Sequence, residues 1–178
     1  MYQTVLDFWF NEIKPSQWWE KDSKFDQLIT DRFSSLHNQA TKCELFHWRD
    51  TIEGRLAEIV VLDQFSRNIY RDKPESFVND ALALSLAQSA VEQGLDSTLE
   101  QQQCAFLYMP YMHSESLAIH EQAVELYTKL GHESSLDFEI KHKKIIERFG
   151  RYPHRNQILG RQSTDEELVF LSEPGSRF

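Results

Sequence analysis

Apolar residues recur along this chain at intervals of three and four, and no stretch alternates apolar and polar positions with a period of two, so the pattern predicts helices and no sheet. A short opening helix is expected over residues 5–11. After a turn at Pro15 and the pair Trp18 and Trp19, a second helix from about Lys24 places Phe25, Leu28, Ile29, Phe33, Leu36 and Ala40 on one face. Asp50-x-x-Glu53 has the form of a capping box and starts a helix that carries Ile52, Leu56, Ile59 and Val60 and ends at Asp63. Pro74 suits the first turn of the next helix, whose stripe is Phe77, Ala81, Leu84 and Val91 and whose stop is Gly94.

A fifth helix is expected over residues 99–108, ending at Pro110, and a sixth over 114–130, closed by Gly131. Ser134 or Ser135 then caps a seventh, with Phe138, His142, Ile145, Ile146 and Phe149 on one side and Gly150 as its stop. Ser163-x-x-Glu166 opens a last short helix before the tail. Helices joined by short turns pack as antiparallel neighbours, so the expected fold is an all-α single domain over residues 1–178 built from antiparallel helical hairpins. No fixed-period repeat is visible in the letters, and a regular solenoid does not follow from them.

Composition agrees with one buried core: 40% of the 178 residues are hydrophobic, and the six Gly and five Pro are scattered singly, so nothing reads as a linker. Trp9, Trp18, Trp19 and Trp48 are assigned to that core. The opening M-Y-Q-T-V-L-D-F-W-F has no basic region and carries an Asp inside its apolar stretch, and the longest aliphatic run, residues 59–62, is far too short for a span. The cytoplasm is the expected address, with no membrane partner and with Cys43 and Cys104 as free thiols.

Charge sharpens the picture. The net charge is -9, yet residues 140–161 carry seven Lys and Arg against Glu147, a local +6, which leaves -15 for the rest of the chain. A basic patch in an acidic shell argues against nucleic acid as a partner, because counterion release needs a broad basic face, and favours a local anion site. Within the patch, Gly150 is the helix stop and Pro153 stiffens the loop, leaving Arg151, His154, Arg155 and Asn156 as a cluster of donors. Asp63, Arg67, Asn68 and Arg71 offer the same guanidinium and amide chemistry at the end of the third helix.

Each of these has a plainer explanation. Arg67 and Asn68 suit a helix C-terminus, where Arg meets the dipole and Asn tolerates the left-handed region, and the arginines have Asp63, Asp72 and Glu115 as internal partners for a purely structural ion-pair network. His113 and Glu115 form a candidate acid and base pair at a helix start, where Ser114 also serves as a cap and Glu115 as a dipole partner. His142 lies on an apolar stripe between Phe138 and Ile146, which favours a core histidine over a site residue. Glu44-x-x-His47 and Glu139-x-x-His142 have di-iron spacing but lack the further glutamates such bundles need, and His113 and His120 are too far apart to share a metal, so neither a metal nor a cofactor is expected. Glycine-rich phosphate loops, G-x-S-x-G, H-E-x-x-H and paired C-x-x-C motifs are all missing.

The runs V-L-D-F-W-F, L-D-Q-F-S-R-N-I-Y-R, Y-M-P-Y-M-H-S-E and R-F-G-R-Y-P-H-R-N-Q-I-L-G-R, followed by S-T-D-E-E-L-V-F-L, resemble an uncharacterised bacterial domain-of-unknown-function family, number 924. The resemblance spans almost the whole chain and implies a TPR-like, all-helical domain without an established reaction. Its motifs fall on Asp63, Gln64, Arg67, Asn68, Arg71, His113, Glu115, Arg151, His154, Arg155, Asn156 and Arg161, and Arg177 is a departure from the pattern.

The reading that results is one polar pocket where the 63–71 segment, the 113–115 helix start and the 151–156 loop meet. In it Asp63, Arg67, Asn68, Arg71, Arg151, Arg155 and Asn156 bind a small anionic ligand, as in an enzyme or a sensor, and His113, Glu115 and His154 are the candidate catalytic groups of the enzyme reading. The rival is a TPR-like interaction module that grips an acidic peptide with the same arginines and performs no chemistry.

Overall fold

Helix α1 (Tyr2–Asp7) widens directly into a π turn (Phe8–Glu12), which lets Val5, Leu6, Phe8 and Trp9 all face inward from so short a segment. In this computed structural model, which describes residues 1–176, the regular structure is helical and the described residues form no strand. Arg177, the departure in the tail, and Phe178 lie outside the described residues.

Helix α2 (Ser23–Thr41) begins where Asp22 accepts from the Lys24 amide and buries Phe25, Ile29, Phe33, His37 and Ala40. Leu28 falls beyond that stripe and is exposed. Helix α3 (Ile52–Val60) is capped by Thr51, not by Asp50. The chain turns extended only at Thr51, whose Oγ1 accepts from the Gly54 amide at 3.1 Å, while Asp50 still belongs to a preceding 3₁₀ turn (Phe46–Asp50). That turn crowds the helix start: a Cβ on Gly54 would sit 2.0 Å from the Trp48 carbonyl oxygen.

Helix α3 does not stop at Asp63. It continues through a second π turn (Val61–Phe65) into α4 (Ser66–Ile69), so most of the 63–71 segment, expected to follow the helix end, is itself helical. Pro74 starts a separate 3₁₀ turn (Pro74–Ser76), and α5 (Asp80–Glu92) begins after Phe77, with Gly94 left-handed behind it at φ +67°. Helix α6 (Gln101–Met112) runs through Pro110. Proline forfeits one i→i−4 bond there, a tolerable loss so near the helix end, and the ladder resumes with the His113 amide on Met109 O at 3.0 Å. Every residue of α6 from Cys104 onward is buried, which makes it the central helix.

Helix α7 (Leu117–Leu130) starts at Ser116, later than expected, which leaves Ser114 and Glu115 ahead of it. Helix α8 (Glu133–Phe149) starts after His132, so Ser134 and Ser135 lie in its first turn and do not cap it, and Phe138 is exposed. Gly131 and Gly150 end α7 and α8 in the left-handed region at φ +71° and +67°. The capping box of α9 (Asp165–Leu171) is Thr164-x-x-Glu167, one residue beyond the expected pair, with both reciprocal bonds made at 3.2 and 2.8 Å.

Helices α5 to α8 pack in chain order as hairpins. Helix α1 lies on α3, and α2 lies on the 61–69 segment. Val5, Ile29, Leu56, Ile59, Leu62, Phe65 and Leu107 define the main core, and Ile145, Ile146 and Tyr152, with Phe149 and Phe170 packed against them, form a smaller one that ties α9 and its loop to α8. Trp9 and Trp48 belong to the core, whereas Trp19 is exposed. Cys43 is exposed, Cys104 is buried, and both are free thiols. None of the described helices is long and apolar enough to cross a membrane.

Candidate functional site

The π turn between α3 and α4 sets Asp63 on the inner side of the helix, where its side chain is 1% exposed. A carboxylate so buried needs partners, and it has them. Its Oδ1 lies 2.7 Å from His113 Nδ1 at the end of α6, its Oδ2 accepts from Gln64 Nε2, and Arg67 Nη1 approaches to 3.2 Å. Burial alone would raise the Asp63 pKa, but His113 and Arg67 outweigh it and hold the carboxyl well below its usual range. For His113, burial and the Arg67 charge prevail over Asp63 and lower the pKa, so the ring is neutral at neutral pH.

Arg67 reaches forward to Asp80 in the first turn of α5, with Nη1 and Nη2 at 3.0 and 3.2 Å from its two oxygens. Arg155, on the 3₁₀ turn Pro153–Arg155, donates from Nη1 to the same carboxylate at 3.2 Å and from Nη2 to the His113 carbonyl at 3.0 Å. Its guanidinium lies between the Phe77 and Tyr152 rings, 4.5 and 4.8 Å from their centroids. Its Nε is buried with no hydrogen-bond partner among the described residues. Burial and the neighbouring Arg67 lower the Arg155 pKa.

Glu115 is engaged by Arg161 Nη1 and Nη2 at 2.7 and 2.9 Å and by the Tyr152 amide at 2.7 Å. These contacts overcome burial and lower its pKa. Three carboxylates, Asp63, Asp80 and Glu115, therefore stand against three guanidiniums, Arg67, Arg155 and Arg161, and with a neutral His113 the cluster is electrically balanced.

These side chains flank a cleft of about 400 Å³ between α5, the end of α6 and the 153–159 segment. Its apolar wall includes Pro74, Phe77, Val78, Leu84 and Leu159, and its polar side is Asp80, His113, Ser114, Glu115 and Arg155. The His113 side chain is 13% exposed, and its Nε2 makes no hydrogen bond among the described residues.

The structure thus brings Asp63, Arg67, His113, Glu115 and Arg155 together. It does not bring the others. Asn68 and Arg71 turn toward α2, both bonding Asp26. Arg151 grips Glu167 through Nε and Nη2 at 2.6 and 2.8 Å, and Asn156 donates to Glu167 at 3.2 Å, so this pair fastens the loop to α9. His154 stands behind Tyr152, with ring centroids 5.5 Å apart, and does not line the cleft; burial and Arg155 push its pKa down to about 4. His142 is also outside the cleft, its Nδ1 bonded to the Phe138 carbonyl at 2.7 Å. Asp72, named as an internal partner, lies on the surface with Lys21 at 2.6 Å. The partner it was taken for is Asp80, which lies outside every quoted run; Tyr152 and Glu167 lie inside two of those runs but were not singled out as site residues. No group of three or more His, Cys, Asp or Glu is gathered for a metal among the described residues.

Comparison with known proteins adds a family and a fold. The sequence profile described as bacterial protein of unknown function (DUF924) matches residues 5–175. A solved structure of a protein of unknown function from Agrobacterium tumefaciens is 37% identical, covers 96% of each chain and superposes with a TM-score of 0.91. Comparison with curated proteins finds no match.

Proposed function

This chain belongs to the bacterial DUF924 family, whose description states no activity. On its geometry we propose that it binds a small molecule with an apolar body, and that His113, oriented by Asp63, accepts a proton from the ligand's polar end. The observation that carries this reading is the 2.7 Å contact between His113 Nδ1 and the buried Asp63 carboxylate. An ionised carboxylate can only accept, so Nδ1 carries the hydrogen and Nε2 keeps its lone pair, the arrangement of an imidazole general base. The lowered pKa keeps that base unprotonated at neutral pH.

The remaining geometry supports a small ligand. A cleft of about 400 Å³ with an apolar wall and few polar groups has the character of a small-molecule site. Because the surrounding charges cancel, a ligand that brings one negative charge is matched by a proton taken up at His113. A small anionic ligand therefore remains the proposed class, with Arg155 as the near guanidinium in place of Arg151. Glu115 is held by Arg161 and the Tyr152 amide, which favours a shaping role over proton transfer. The acidic-peptide alternative draws no support here, since Arg67, Arg155 and Arg161 are already matched by internal carboxylates.

Thermal unfolding with butyrate, benzoate and inorganic phosphate tests this. The carboxylates should raise the Tm of the native protein, more strongly in mildly acidic than in alkaline solution, and phosphate less. His113→Gln should lose the response. An equal rise in the variant would place the effect on the general surface and sink the proposal.

A further inference from the structure

Three consecutive backbone carbonyls where α6 ends each accept a hydrogen bond from a distant side chain. Tyr152 Oη donates to Met112 O at 2.6 Å, Arg155 Nη2 to His113 O at 3.0 Å, and His120 Nε2 to Ser114 O at 2.9 Å. The last carbonyls of a helix have no intrahelical partner and ordinarily turn to water. Here the donors are buried, with Tyr152 1%, Arg155 6% and His120 0% exposed, and the central carbonyl is that of His113 itself. A backbone gripped on both sides of one residue fixes the direction of its side chain, and this residue faces Asp63.

We propose that Tyr152, Arg155 and His120, the last held by Glu139, are positioning residues that set the His113 ring against Asp63. The proposal rests on the reading of His113 as the base. Of the set only Arg155 lines the cleft; Tyr152, His120 and Glu139 act through the backbone of residues 112–114.

The proton arrangement of the His120–Glu139 pair follows from its contacts. His120 Nε2 faces a carbonyl and must carry a hydrogen, while Nδ1 lies 2.6 Å from Glu139 Oε1. Glu139 Oε2 is buried without a hydrogen-bond partner among the described residues. An unpaired oxygen costs less on a carboxylic acid than on a carboxylate, which favours a neutral pair in which the Glu139 hydroxyl donates to Nδ1. Burial, which raises the Glu139 pKa against the pull of His120, acts in the same direction.

Side-chain ¹⁵N NMR of histidine-labelled protein tests the proposal. In the native protein His113 should be the Nδ1–H tautomer and unprotonated at neutral pH; finding it protonated, or as the other tautomer, would sink the base reading itself. Tyr152→Phe removes the donor to Met112 O together with the 3.2 Å contact between its hydroxyl and His120 Nε2, and leaves the charges around His113 in place: Asp63 and Arg67 from the 61–69 segment, Asp80 from α5, and Arg155 from its turn. The expected result is a mixture of tautomers at His113 and a pKa that rises toward the ordinary imidazole value as the ring becomes hydrated. A lower Tm with the His113 titration unchanged would show a merely structural hydroxyl and overturn the positioning role. Should Tyr152→Phe fail to fold, Arg155→Lys shortens the donor to His113 O while keeping a positive charge near Asp80, and the same readout applies. Glu139→Gln can still donate to Nδ1 and should leave the His113 signals and the Tm as they are. Disturbance of either would overturn the neutral-pair arrangement.

Discussion

Arg67 and Arg155 donate to the same carboxylate, Asp80, one from α4 and the other from the turn that follows Pro153. Without Asp80 two guanidiniums would face each other, one of them almost wholly buried. Asp80→Ala should therefore destabilise the fold by about 3–5 kcal/mol, the usual cost of stranding a buried charge. Arg155→Ala should cost less, because Asp80 then keeps Arg67. Urea unfolding of the two variants measures the order, and a larger loss for Arg155→Ala would mean that its stacking and its bond to His113 O outweigh the charge.

Arg151 and Arg155 are neighbours in sequence with opposite consequences. Arg151→Ala frees Glu167, whose pKa Arg151 and other contacts hold down at about 2, and should loosen α9, lower the Tm modestly and leave the response to carboxylates intact. Arg155→Ala should weaken that response. Titrations on both variants decide, and a lost response in Arg151→Ala would return Arg151 to the cleft.

Acid should unfold the protein through its buried histidines. Burial lowers the pKa of His142 to about 3 and of His154 to about 4, and lowers that of His37 and His113. A folded-state value below the unfolded one means that the unfolded chain binds the proton first. Stability is then complete above the ordinary imidazole value of about 6.5 and falls as pH drops below it, by about 1.4 kcal/mol per pH unit for each of His142 and His154 down to about 3 and about 4, with His37 and His113 adding to the loss in the same direction. The lowered carboxyls of Asp63 and Glu115 add to the loss only below the ordinary carboxylate range. Unfolding free energies across this window should show a shallower slope in His142→Gln, and an unchanged slope would mean that His142 is protonated in the native state.

His142 should prove a core residue. It is 7% exposed, bonds the Phe138 carbonyl one turn back and meets the Tyr152 ring at 5.7 Å. His142→Ala should cost about 1–3 kcal/mol through lost packing and hydrogen bonding, with the carboxylate response preserved. Normal stability with a lost response would instead make it part of the site.

The helices could be read because burying one face imposes a period on the letters, and the Gly94, Gly131 and Gly150 stops because the left-handed region favours glycine. Helix starts slipped where two capping residues stand side by side: Asp50 with Thr51, and Ser163 with Thr164. Either can accept the amide, and only the backbone entry angle selects between them. Of the site, Asp63, Arg67, His113, Glu115 and Arg155 were legible as a group, because charged residues beside apolar stripes need partners. Their orientation was not. Neighbouring helical residues point about 100° apart, so Asn68 goes to Asp26 while Arg67 goes to Asp80. Asp80 itself is an ordinary acid in the first turn of a helix, and its importance comes only from two arginines folded onto it from afar.

The wide turn at Val61–Phe65 holds one residue more than an α turn would over the same stretch of helix. Deleting one residue there would let the helix close as ordinary α, with Arg67 still directed at Asp80 and Asn68 at Asp26. What such a deletion would disturb is the turn itself, which sets Asp63 against His113. The helix beyond the turn can therefore survive a loss of length that the Asp63–His113 contact cannot.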